Sequence, residues 1–193
     1  ELMNDCTKLF EKMKRVTYIP QLKTPLYNGK AAEKISVLLS KQSVLTIVNT
    51  KAVARGVYHE VVARLPEMGM VPVSATLNSF DEELSPLKKN EVLCVHMSTL
   101  LCPTHRKQLI KQIKLRLKQG SRVFCVSTAL IEAGINVSFP TVVRSLTGLP
   151  SIVQAAGRAN RSMEYESGNV YIWEFCDEKL GSLPDIQNGG NIA

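Results

Sequence analysis

The sequence lacks any run of apolar residues long enough to cross a bilayer. Its opening residues, ELMNDCTKLF, lack the basic and apolar regions of a secretory signal, so no membrane partner is expected. Cysteine is scarce and unpatterned. Cys6, Cys94, Cys102, Cys125 and Cys176 are odd in number and none stands in Cys-x-x-Cys spacing. That speaks against a disulfide framework or a zinc site, and the expected compartment is a reducing cytoplasm. His59, His96 and His105 form no His-Asp pair and no metal-ligand spacing, and Gly-x-Ser-x-Gly is missing. No metal site is therefore expected. There is no internal repeat. A phosphate-binding loop is absent too. Gly29-Lys30 is in place, but Thr24 stands where that motif needs its first glycine and Ala31 where it needs a hydroxyl, and no apolar strand leads in. Asp177-Glu178 follows a strand-like run, and without such a loop the pair reads as a solvated strand end.

What is present is an ordinary globular composition, 193 residues with 45% hydrophobic. The chain opens on Glu1 rather than Met, and a piece of a longer protein is the expectation. A net charge of +7 favours a polyanionic partner, and a solvated basic surface accounts for it equally well.

Short β-branched runs alternate with amphipathic stretches. Val44–Val48 reads as a buried strand, followed by a helix over Lys51–Leu65 with Thr50 as N-cap and Ala54, Tyr58, Val61 and Leu65 on one stripe. Pro66 ends that helix. Glu91–Val95 is a second strand, and Cys94, like Cys125, reads as a buried thiol within its apolar run. Pro103 opens a helix to Lys118 with Ile110, Ile113 and Leu117 together, and Gly120 closes it. Arg122–Val126, Thr141–Arg144 and Val170–Phe175 complete five strands, and Arg15–Ile19 is a possible extra one. Leu9 to Lys14 reads as helical, residues 66–90 as an irregular link, and the residues after Lys179 as an unstructured tail. The pattern implies an α/β fold with a mostly parallel sheet flanked by helices on both faces. Ligands of such sheets meet the loops leaving the strands' carboxyl ends. Asn49-Thr50, His96-Met97-Ser98-Thr99, Ser127-Thr128 and the segment leading to Gln154 are assigned to those loops.

The stretch Ser151 to Arg161 carries the most chemistry. Gln154, Gly157, Arg158 and Arg161 stand at 0, +3, +4 and +7, which on a helix is one face. Two guanidiniums beside a glycine suit a multiply charged anion such as a nucleotide's terminal phosphates. A mid-helix glycine costs about 1 kcal/mol against Ala, a cost that close approach of a ligand explains. Ser151-x-x-Gln154 also fits a capping box, in which case Gln154 ties down its own helix start. Ser127 and Thr128 suit a backbone phosphate or a simple N-cap, and Asn49 and Thr50 carry the same two readings. His96, Ser98 and Thr99 suit a nucleic-acid strand or a polar loop. Lys51, Arg55, Lys107 and Lys111 read as solvated helix faces.

In order, VNT at 48–50, HMSTLLCPTHR at 96–106, VSTALIEAGINVSFP at 126–140 and QAAGRANR at 154–161 resemble the second motor lobe of a superfamily 2 helicase. The likeness is closest to the CRISPR-associated helicase–nuclease of type I interference systems. It implies a RecA-like lobe over residues 31–178, an inter-lobe connection with edge elements over 1–30, and a flexible tail over 179–193. It implies an ATP-dependent motor on single-stranded DNA. ATP and Mg would be held mainly by a first lobe, absent here with its P-loop, and none by this chain alone. An HD nuclease domain and a CRISPR RNA-guided surveillance complex are the other implied partners. By the resemblance, Arg158 and Arg161 reach across to the γ-phosphate, and Gln154 and Gly157 belong to the same nucleotide-sensing motif. Ser127, Thr128, Glu132 and Gly134 couple nucleotide state to the DNA backbone, with Gly134 and Asn136 on the nucleotide side. Asn49 and Thr50 lie near DNA, with His96 and Ser98. Ala129 departs from the family's usual Gln and Asn136 from its usual Asp, and a neutral amide does not orient an arginine as a carboxylate does. The fragment alone is expected to turn over no ATP. Another superfamily 2 helicase lobe, or a non-catalytic nucleic-acid or protein docking module with this fold, are the rival readings.

Overall fold

The computed structural model describes residues 15–75, 85–98, 100–131 and 135–178. Their strands form one seven-stranded sheet in the order β1-β7-β6-β2-β5-β4-β3. These are β1 (Val16–Leu26), β2 (Val44–Ile47), β3 (Val71–Ser74), β4 (Glu91–Met97), β5 (Arg122–Ser127), β6 (Thr141–Ser145) and β7 (Gly168–Phe175). Every pairing is parallel. Helices α1 (Asn28–Lys41), α2 (Lys51–Arg64), α3 (Pro103–Lys118) and α4 (Leu149–Ala156) carry the β1–β2, β2–β3, β4–β5 and β6–β7 crossovers.

A parallel sheet is stable only with both faces covered, and the strands are apolar on both sides accordingly. Val44 of β2 and Phe124 and Val126 of β5 join a core with Ile35 and Leu39 of α1 and Val57 and Val61 of α2. Their neighbours Leu45, Ile47, Val123 and Cys125 face the other way, against Leu109 and Ile113 of α3 and Ala155 of α4. Each such Leu, Ile or Val gains about 1.5–3 kcal/mol on burial.

The punctuation predicted for α3 holds at both ends, with Pro103 in its first turn and Gly120 at φ 71° after it. Thr50 caps α2, its side chain accepting from the Val53 N–H at 3.3 Å. The edges differ from the sequence reading. The extra strand runs on through Pro20 and Pro25 to Leu26. An edge strand has one unpaired side and tolerates proline. Residues 28–30, assigned to a connection, begin α1, so the division at 30/31 runs through a helix. The link at 66–90 contains a 3₁₀ turn, Pro66–Met68, and the edge strand β3. The helical reading of Leu9–Lys14 and the tail beyond Lys179 lie outside the described residues.

Candidate nucleotide and nucleic-acid sites

The helix carrying the arginine motif is shorter than its spacing predicts. α4 starts at Leu149 behind Gly148 as N-cap, with Pro150 in its first turn. Ser151 is therefore inside the helix rather than capping it, and the capping-box reading falls; Gln154 is exposed. The helix stops at Ala156, and Gly157 is its C-cap at φ −62° and ψ −6°. The Arg158 N–H bonds to the Ala155 carbonyl and the Ala159 N–H to that of Ala156, both at 2.9 Å. These i to i−3 bonds tighten the last turn. Gln154, Gly157, Arg158 and Arg161 thus do not share one helical face, and Gly157 is not a mid-helix glycine. The backbone leaves the helix because it has another partner. Ala159 bridges Phe139, with Phe139 N–H to Arg158 C=O at 2.9 Å and Asn160 N–H to Phe139 C=O at 2.8 Å.

Beyond α4 the chain forms a shelf with a tied backbone. Asn160 is 1% exposed and takes the left-handed conformation, φ 44°, which Asn tolerates better than most residues. Its Nδ2 donates to the carbonyls of Tyr165 (2.7 Å) and Arg15 (3.3 Å), and its Oδ1 accepts from the Tyr165 N–H at 3.0 Å. Ser138 Oγ accepts from the Ser162 N–H at 3.2 Å. Gly168 closes against this loop, since a Cβ there would meet the Asn160 Cβ at 2.8 Å. On the shelf Arg158 is 8% exposed, whereas Arg161 and Asn136 are exposed. The structure therefore brings the segments of Asn136, Arg158 and Arg161 together. Gly134 and Glu132 lie outside the described residues.

The segment leading to Gln154 leaves the carboxyl end of β6, as the sequence predicts, and the shelf stands at the opposite edge. A crossover between parallel strands must return the chain to the amino end of the sheet. α4 does so between β6 and β7, and Asn169 pairs with Thr141 where both strands start. Gly157 to Arg161 and Asn136 therefore stand at the amino edge, not with the carboxyl loops.

At the carboxyl edge, Asn49 is the centre of a hydrogen-bond network. Its N–H donates to Glu178 Oε1 at 2.6 Å, and its Nδ2 to Glu178 Oε2 at 2.7 Å, to the Leu146 carbonyl at 2.9 Å and to Ser145 Oγ at 3.2 Å. Its Oδ1 accepts from Arg144 at 2.7 Å. Ser145 Oγ donates to Glu178 Oε2 at 2.6 Å. Glu178 is 9% exposed, so it is not a solvated strand end. Its partner Asp177 does lie exposed, accepting from the Asn28 N–H at the start of α1 at 2.8 Å. Arg144, Ser145 and Glu178 carry no sequence signal of this role, because their partner Asn49 is 95 to 129 residues away.

The other assigned residues of this edge are spread out. Ser127 is buried within β5, its carbonyl accepting from the Val48 N–H at 3.0 Å. Thr128 opens the 3₁₀ turn Ala129–Ile131, accepting from the Ile131 N–H at 3.3 Å. Ser98 Oγ accepts from the Leu100 N–H at 3.2 Å in a local turn, and Thr99 lies outside the described residues. His96 is in β4 and stacks on Tyr58 of α2 with centroids 5.7 Å apart. Burial, helped by His59 and Arg55, holds its pKa below the ordinary imidazole value. Burial pushes the Cys94 and Cys125 thiols up to about 12, so both are inert. Among the described residues no three His, Cys, Asp or Glu side chains gather to hold a metal ion, and no helix is long and apolar enough to cross a membrane.

Residues 40–164 match the family model described as CRISPR-associated nuclease/helicase Cas3, C-terminal. A CRISPR-associated nuclease/helicase Cas3 of Haloferax volcanii is 33% identical over 117 residues, covering 60% of this chain and 12% of that protein. One of Methanothermobacter thermautotrophicus is 24% identical over 178 residues, covering 87% of this chain and 18% of that protein. The chain thus spans less than a fifth of these relatives. The crystal structure of T. fusca Cas3-ADP superposes with a TM-score of 0.60 at 14% identity, over 86% of this chain and 19% of that one. At that identity it shows the fold alone, a RecA-like helicase C-terminal lobe.

Proposed function

The chain belongs to the family of Cas3 C-terminal domains, and from that premise we propose that it is the second motor lobe of an ATP-dependent translocase on single-stranded DNA. ATP and its Mg ion are held by a first RecA-like lobe, and this lobe completes the site from across the cleft. The observation that carries the reading is the amino-edge shelf. Its backbone is fixed by the Phe139–Ala159 bridge and by Asn160, while Arg161 is exposed. An arginine on a rigid mount is what a transferring phosphoryl group in a neighbouring lobe requires, because little reorganisation is then left for the reaction. Arg158, mostly buried, sets the shelf's charge from below, and Gln154 and Asn136 offer neutral hydrogen-bonding groups. Thr50, Ser98 and Thr128 lie where the carboxyl loops face a DNA backbone, and His96, Ser127 and Asn49 support those loops from within the sheet. The parent carries an HD nuclease and works in the cytoplasm with a CRISPR RNA-guided surveillance complex.

A docking module that has lost motor function is favoured by one observation. Asn136 gives the shelf an amide where the family has a carboxylate. The two readings part in the full-length parent. Arg161→Ala is expected to cut DNA-stimulated phosphate release by about 10³-fold or more, and an unchanged rate would favour the docking module. The chain by itself is expected to release no phosphate from ATP, with or without DNA, and measurable turnover in pure material would overturn the division between lobes.

A further inference from the structure

Charge is distributed unevenly over the helices. α1 and α2 mix signs and pair them internally, Lys30 with Glu33 at 2.7 Å and Arg64 with Glu60 at 3.3 Å. α3, reading PTHRKQLIKQIKLRLK, has no acidic residue at all. Two of its basic residues are used inside the fold. Arg116, 7% exposed, bonds to the Ser85 carbonyl and to Gln119, and Arg106 bonds to the Leu101 carbonyl at 3.3 Å. Lys107, Lys111, Lys114 and Lys118 are exposed. They stand at i, i+4, i+7 and i+11, one face of the helix. Lys107, Lys114 and Lys118 form no ion pair with any described residue. The row runs about 16 Å at a rise of about 1.5 Å per residue. Its far end opens on a cavity of about 330 Å³ lined by Lys114, Lys118, Asn136, Ser138, Ser162 and Glu164, which joins the row to the shelf.

We infer that this lysine row is a docking track for the sugar-phosphate backbone of a double-helical nucleic acid. Lysine is depleted from protein–protein interfaces, and lysines aligned on one helix face complement a regular line of phosphates. A duplex carries a charge about every 1.7 Å along its axis, twice the density of one strand. Single-strand sites add aromatic side chains on which bases stack, and α3 has no Phe, Tyr or Trp. Contact by charge alone therefore gains most from the denser polyanion. The site is distinct from the carboxyl loops and needs no nucleotide, so it stands whether or not the motor reading does.

The test is fluorescence anisotropy of the whole chain with a labelled 20-base-pair duplex and with one strand of it, over a salt series without ATP. The combined variant Lys107→Gln, Lys114→Gln, Lys118→Gln is expected to weaken duplex binding about tenfold or more. Its plot of log Kd against log salt is expected to be shallower by about 2.7, at about 0.9 per phosphate contact. The arginine versions at the same three positions retain binding. Removing the charge at Lys23 and Lys41 leaves the slope unchanged. Circular dichroism checks that each variant is folded. Unchanged duplex affinity and slope in the glutamine variant would overturn the inference. So would tighter binding of the single strand at this row, or displacement of the duplex by polyglutamate at equal charge, which marks an acidic protein as the partner.

Discussion

The two ends of the sheet handle polar residues in opposite ways. At the carboxyl edge, side chains are consumed by the fold. Asn49 spends both ends of its amide and its backbone N–H on Glu178, Ser145, Leu146 and Arg144. At the amino-edge shelf the backbone is fixed instead, by the Phe139–Ala159 bridge and the inward-facing Asn160, and Arg161 is left to solvent. The difference separates two kinds of conspicuous residue. One holds strands β2 and β6 to the end of β7, and the other is held out on a mount for something outside the chain.

Substitutions test that contrast, and the largest effect is expected at the shelf. Arg161→Ala in the parent loses about 10³-fold or more in ATP turnover, yet shifts stability by no more than about 0.5 kcal/mol because the side chain is exposed. Calorimetry alongside the rate assay reads both. A fall in Tm with an unchanged rate would reverse the assignment of roles. Next comes the carboxyl edge, with the opposite signature. Asn49→Ala deletes the amide's bonds to Glu178, Leu146 and Arg144, keeping only the backbone N–H on Glu178, and is expected to cost this chain about 3 kcal/mol, read from the urea midpoint. If the midpoint holds, Asn49 is not structural and contact with an external ligand regains ground. The smallest effect is a pH dependence beside α2. The folded His96 pKa is lowered by burial, with help from His59 and Arg55. The unfolded chain therefore takes up the proton first as pH falls through about 6.5. Stability is full above that pH and declines below it, down through the lowered folded value. His96→Gln flattens that decline in urea titrations at pH 5 to 7.5.

Much of the fold was legible locally. The Pro103 and Gly120 signals delimited α3, and the apolar runs at residues 44, 91, 122 and 141 marked central strands, because burial on both faces demands unbroken hydrophobicity. α1 carries no such signal at its start, because its N-cap is Tyr27, with no side-chain cap bond. β1 was cut short because its prolines read as breaks, although an edge strand accommodates them. The arginine motif has the chemistry of an anion site, but its spacing implies a continuous helix, and a tertiary bridge to Phe139 ends that helix at Ala156.

Residue patterns by themselves determined the layered α/β class, the strands that build the sheet's centre and the residues worth inspecting, because period and punctuation are properties of neighbours in the chain. Only the tertiary structure decided that Gly157 to Arg161 reach the amino edge, and whether each side chain is spent or exposed. Parallel crossovers return the chain to the opposite end of the sheet, and hydrogen-bond partners such as Asn49 and Glu178 meet across 129 residues, beyond the reach of any local pattern.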